Sequence, residues 1–172
     1  MTREEALKIV ADARAEGHQP DLRGAELYDV NLGGVNLSGA DLSEAVLLSA
    51  NLYAANLSGA NLYAANLRGA DLGAADLSGA NLREANLHGA SLRWASLREA
   101  DLGGADLSGA DLRNTKGDRA KLNKADLSGA NLEDAKLCET DLRNANLTRA
   151  KLNKADLRGA NLEGAIGIEE TE

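Results

Sequence analysis

The chain has 172 residues, a length suited to one domain, and carries a formal net charge of −8. Leu (30 residues) and Ala (32) dominate, with one Trp, three Tyr and no Phe, which excludes a core of varied large side chains. Two His and one Cys exclude a zinc cluster and an intrachain disulfide, and the acidic balance disfavours direct binding to nucleic acid or to an anionic membrane.

Residues 1–20 form the first predicted element, a capping helix and linker. Thr2 followed by Glu5 is a capping box, and Ala6, Ile9, Val10 and Ala13 make an apolar stripe at helical spacing. Gly17 and Pro20 are stop signals, so a helix is expected over 3–16. Its charges are mixed (Arg3, Glu4, Glu5, Lys8, Asp12, Arg14 and Glu16), which argues against a membrane-surface role and for covering the next element.

That element is a repeat over 21–165. Leu stands at every fifth position from Leu22 to Leu112 and again from Leu122 to Leu162, with Gly117 in the one odd slot. Ala usually precedes each Leu by two residues, with Asn or Asp between them. A five-residue step rotates a helix by about 140° net, scattering the leucines around all sides, and an odd period defeats a straight strand. A short extended piece points the Ala and the Leu the same way and the Asn or Asp outward. The two residues that follow, often Ser-Gly, Arg-Gly or Gly-Gly, then turn a corner.

Runs such as ANLSGANLYAANLRGADLGAADLSGA resemble the pentapeptide repeat family, whose tandem unit is A(D/N)LXX. The resemblance implies an all-β solenoid, a right-handed quadrilateral β-helix of four units per coil and about seven coils. Leu22, Leu42, Leu62, Leu82, Leu102, Leu122, Leu142 and Leu162 are then one core column. Positions twenty apart stack on one face, so the sequence becomes a surface map.

On that map Tyr28 and Leu48 lie one above the other beside Val46, an apolar patch that either the N-terminal helix or a partner covers. Trp94 falls at a corner, as a binding anchor or stacked on Arg93 or Arg113. Asp106 and Asp126, stacked above Glu26 and Asp29, make the most acidic strip. The unit 115–119 puts Gly117 where Leu belongs, and a distorted corner or a small protruding loop is expected there. Cys138 occupies an outward slot as a free thiol, which suits a reducing cytoplasm. Residues 166–172 form a thin C-terminal tail: either Ile166 and Ile168 fold over the last coil, or that end makes a homodimer contact.

Flat outer walls and a bore filled with Leu offer no concave site for catalysis, and neither His18 nor His88 has a Ser or Cys partner at a recognisable spacing. The chain is therefore read as non-enzymatic and without a cofactor or metal. It is read as a rigid cytoplasmic scaffold that binds an unidentified protein, as the resemblance implies for many bacterial members. The resemblance also implies an alternative, a DNA mimic that binds DNA gyrase. A rod of ~35 Å would need about twenty negative charges to match duplex DNA. Here Arg83, Arg93, Arg98, Arg113 and Arg143 interrupt the acidic track.

Overall fold

The backbone of each five-residue unit presents five N–H groups that need acceptors. In the computed structural model, which describes residues 1–168, unit 41–45 shows how they are met. The Asp41 N–H donates down to Pro20 O (2.9 Å), and the Leu42 and Glu44 N–H groups donate up to Asn61 O (2.7 Å) and Tyr63 O (2.8 Å). The Ala45 N–H closes the turn on Leu42 O (3.1 Å). That leaves the Ser43 N–H, which the Asp41 side chain accepts through Oδ1 at 3.0 Å. The first slot of the unit is thus Asn or Asp because its short side chain takes the one N–H no neighbouring coil can reach.

The same pattern recurs along the chain, and every bridge is parallel and joins residues twenty apart, from Asp21–Asp41 to Asn146–Ile166. The chain winds a right-handed quadrilateral β-helix with four parallel ladders as walls. Wall 1 holds the units beginning at residues 21, 41, 61 and onward, wall 2 those from 26, wall 3 those from 31 and wall 4 those from 36. Every corner has its second residue at positive φ, which closes a tight turn between Leu and Ala. Gly occupies some of these corners, but seventeen carry a side chain, among them Ala54, Trp94 and Lys154. The coil therefore imposes the left-handed conformation, and Gly relieves its strain without being needed to create it.

The core leucines from Leu22 to Leu147, and the alanines that end each unit from Ala40 to Ala145, are at most 1% exposed. Each buried Leu contributes about 1.5–3 kcal/mol. Ala is required beside it because a larger residue would overfill the bore.

Unit 115–119 corrects the expectation of a distortion or loop. Its bridges Ser96–Lys116 and Lys116–Lys136 keep the register, and Arg119 closes the corner at φ 60° like its neighbours. The missing Leu side chain is replaced from the surroundings. A Cβ on Gly117 would lie 2.8 Å from Leu137 Cδ2, so Leu137 reaches into the vacated volume. Thr115 and Thr140 stand buried where Ala is usual and add bulk on either side. Their hydroxyls donate to Leu112 O (2.8 Å) and Gly117 O (3.1 Å), so no buried hydroxyl is left unpaired.

The N-terminal end is closed by α1 (Arg3–Ala15), one residue shorter than the predicted helix. Thr2 and Glu5 form the capping box, and His18 N–H to Ala13 O (2.8 Å) with Gly17 N–H to Arg14 O (3.2 Å) makes a Schellman stop at Gly17, φ 75°. Ala6 and Val10 are buried in the same cluster as Leu22 and Leu27, with Leu7 and Ile9 packed at its margin. At the other end the two isoleucines part: Ile166 extends the ladder above Asn146 and is 59% exposed, while Ile168 is half-buried and packs against the core cluster. Of the predicted tail, residues 169–172 lie outside the described residues.

Candidate interaction surface

With slots 2 and 5 of each unit facing the bore, slots 1, 3 and 4 carry whatever the walls present. On wall 2, Tyr28 (49% exposed) and Leu48 (38%) remain at the surface beside half-buried Val46. Helix α1 caps the end of the first coil and leaves this patch uncovered. Glu26, hydrogen-bonded beside Tyr28, pushes the phenol above its ordinary pKa.

Wall 3 carries a second cluster, which the sequence map did not assemble. Trp94 is 53% exposed, and the Arg93 guanidinium lies 4.4 Å from its ring centroid, a cation–π contact. Two coils below, Tyr53 (52% exposed) lays its ring over Gly73, where an added Cβ would stand 3.1 Å from Tyr53 Cδ2. Tyr53, Arg93 and Trp94 thus frame a floor of Gly73 and Ala74. The Arg93 Nε atom is buried without a hydrogen-bond partner and lies 4.0 Å from Asp111 Oδ2. The signal was available: Tyr53 and Arg93 share one column with Gly73 between them. Counting single exposed aromatics missed it. On wall 1 Tyr63 donates to Glu84 Oε2 at 3.0 Å, which raises its pKa and ties the ring to the wall.

The acidic strip is spoken for. Asp106 Oδ1 accepts the Ser108 N–H (2.9 Å), and Asp126 Oδ1 accepts the Ser128 N–H (2.9 Å) and Asn146 Nδ2–H (3.0 Å). Both carboxylates are half-buried ladder members. Four Asp-Leu-Arg units neutralise more charge within themselves. In each, the Asp accepts a two-point fork from the Arg two residues on, as in Asp111–Arg113 with Nε to Oδ1 at 2.9 Å and Nη2 to Oδ2 at 2.6 Å. The same fork holds Asp21, its pKa lowered to about 2, and Asp141 and Asp156, both well below the usual carboxylate range. Arg119 bridges two coils at once, with Glu139 at 3.0 Å above and Glu99 at 3.7 Å below.

Cys138 is a half-buried free thiol that burial and the neighbouring Asp156 carboxylate push up, away from the reactive thiolate. Among the described residues no group of His, Cys, Asp and Glu is placed to hold a metal ion, and no helix is long and apolar enough to cross a membrane.

The family profile of pentapeptide repeats matches the chain in eight copies, over 25–62, 60–98, 95–134 and 125–164. The chain belongs to the pentapeptide repeat family. Among solved structures this pentapeptide repeat protein is similar to HetL, a pentapeptide repeat protein involved in heterocyst differentiation regulation from the cyanobacterium Nostoc. The two are 31% identical over 96% of this chain and 94% of HetL, with a TM-score of 0.46. A pentapeptide repeat protein of the Arabidopsis thaliana thylakoid lumen is also 31% identical, over 66% of this chain and 68% of that one, with a TM-score of 0.35. QnrB1, a plasmid-mediated fluoroquinolone resistance protein, is 22% identical over 80% and 77% of the two chains, with a TM-score of 0.48. A search of curated proteins finds no match.

Proposed function

We propose that this pentapeptide repeat protein is a rigid, non-enzymatic scaffold that binds another protein through the wall surface of its first four coils. The observation that carries the reading is the Tyr53, Arg93 and Trp94 cluster on wall 3. Trp, Tyr and Arg are the side chains most often found as binding anchors. Here they stand half exposed on a backbone already ordered by its ladders, so a partner loses little entropy in fixing them. The Tyr28 and Leu48 patch on the adjoining wall 2 offers a second apolar contact.

The test is capture of partners from a lysate of the native host on immobilised protein, compared with the Tyr53→Ala/Trp94→Ala variant. Both side chains are exposed, so the variant keeps its fold. Loss of a captured protein with that variant supports the reading, and an unchanged set of captured proteins overturns it.

The alternative, a DNA mimic acting on gyrase in the cytoplasm, draws on the net charge of −8 and on the acidic excess of walls 1 and 2. The Asp-Leu-Arg forks and the tied Asp106 and Asp126 count against it, because a mimic needs free negative charge at phosphate density. A supercoiling assay over a range of salt decides: inhibition or protection of gyrase that fades with added salt would replace the scaffold reading.

A further inference from the structure

Each arginine that follows Asp-Leu on these walls spends its guanidinium inside its own unit, as Arg113 does on Asp111. Arg93 cannot, because unit 91–95 begins with Ser91 where those units place Asp. The carboxylate closest to it is Asp111 in the coil above, with Oδ2 4.0 Å from Arg93 Nε. Asp111 has no acceptor to spare. Its Oδ1 takes Arg113 Nε (2.9 Å) and the Arg113 N–H (3.2 Å), and its Oδ2 takes Arg113 Nη2 (2.6 Å). Among the described residues Arg93 Nε is the one buried side-chain nitrogen or oxygen without a hydrogen-bond partner. With Nε buried and the side chain still 38% exposed, the outer edge of the guanidinium faces solvent.

Trp94 holds that edge in place. Its ring centroid lies 4.4 Å from the Arg93 guanidinium carbon, and its own N–H is fixed on Arg113 O (3.1 Å) at a left-handed corner. The other unforked arginines of the walls lack such a support: Arg83 and Arg98 stand beside Glu84 and Glu99, and Arg68 beside Gly69.

Building on the reading of wall 3 as a binding surface, we propose that Arg93 on Trp94 is a receptor for an aspartate or glutamate side chain of a protein partner. An apolar residue next to that acid rests on the exposed Tyr53 and Ala74. The flat guanidinium edge matches the two oxygens of a carboxylate, and its stacking on Trp94 leaves little rotamer freedom to lose on pairing. Acids around the column limit what else fits. Asp71 stands one coil below, Asp111 one coil above and Glu133 two coils above, against the two cations Arg93 and Arg113. A single carboxylate meets one unclaimed fork, whereas a doubly charged phosphate group needs more free cation than the site holds.

Trp94 is the only tryptophan in the chain, so its fluorescence reads the site. The probe is an acetylated and amidated pentapeptide with a glutamate between leucines, titrated at low salt beside its glutamine and phosphoserine counterparts. The glutamate peptide is expected to change the emission saturably in the millimolar range or below, and the other two to bind about tenfold more weakly. Arg93→Gln should remove that preference, and Arg93→Lys, which keeps the charge without the flat fork, should weaken binding several-fold. Ser91→Asp leaves Arg93 and Trp94 in place but gives the guanidinium a fork in its own unit, so it should lose the glutamate peptide. Ser91→Asn should keep it, and circular dichroism checks that each variant retains the β-helix.

Equal binding of the glutamate and glutamine peptides, tighter binding of the phosphoserine peptide, or no saturable change overturns the proposal. Unaltered glutamate-peptide binding by Arg93→Gln or Ser91→Asp overturns it as well. If Tyr53→Ala/Trp94→Ala still loses a captured protein in that case, wall 3 stays a binding surface and only its preference for a carboxylate falls.

Discussion

Coils 1–4 and coils 5–7 share one backbone and one bore but turn different chemistry to solvent. The exposed Tyr28, Leu48, Tyr53, Tyr63 and Trp94 all lie between residues 21 and 100. The ladder lysines Lys116, Lys121, Lys136 and Lys151 lie in the second half, as do Gly117, the two buried threonines and three of the four Asp-Leu-Arg forks. Slots 2 and 5 hold the fold, so the other three slots are free to diverge. Even slot 1 tolerates replacement: Lys136 still bridges to Lys116 and Asp156 although it cannot accept the slot 3 N–H. The solenoid is a neutral backbone on which two surfaces have been written.

If that division is right, core damage should cost the same in either half. Leu87→Ala and Leu127→Ala, both at fully buried positions, are each expected to lose about 2.7–5 kcal/mol in urea unfolding. Leu162→Ala at the half-buried end should lose less than half of that. A large difference between Leu87 and Leu127 would show that the halves differ inside as well as outside.

The Gly117 site is where the second half departs from the common bore. Restoring the repeat with Gly117→Leu is expected to destabilise by about 1–3 kcal/mol, because Leu137, Thr115 and Thr140 already fill the volume. Adding Thr115→Ala and Thr140→Ala should recover most of that loss, a coupling read from a double-mutant cycle. Stabilisation by Gly117→Leu alone would mean that the three neighbours do not compensate for one another.

Corners offer a smaller test. Ala64 and Lys124 stand in one wall 1 column at φ 53° and 61°, one in each half. Replacing either with Gly removes left-handed strain at some entropic cost, so each should raise stability by about 0.5–1 kcal/mol in thermal melts.

The weakest expected effect is with acid. Forked carboxylates have folded pKa values below their unfolded ones, so their contribution is complete above the unfolded value near 4 and is lost as pH falls towards the folded value, about 2 for Asp21. The melting temperature should stay level from neutral pH down to about 5 and decline below about 4. Hydrogen exchange should place that decline mainly around Asp111, Asp141 and Asp156, in the second half.

Much of this molecule was legible because each unit repeats one local decision. An Ala and a Leu two apart must share a side, and a five-residue step satisfies that only by turning. The coil, the inward Leu column and the helix that Thr2 and Glu5 open were therefore readable from residues alone. Gly117 was misread because its consequence depends on Leu137 and Thr140, twenty and more residues away, whose reach into an empty slot no local rule contains. The wall 3 cluster was missed for the same reason: Tyr53, Gly73 and Arg93 become one surface only after stacking.

Sequence alone determined the unit and its period, since side-chain volume and alternation act over five residues. Tertiary structure decided which side chains meet and how the first coil is closed, because both are properties of the stack: Tyr53, Gly73 and Arg93 share one column, and α1 lays Arg3 and Arg14 on carbonyls of the first coil.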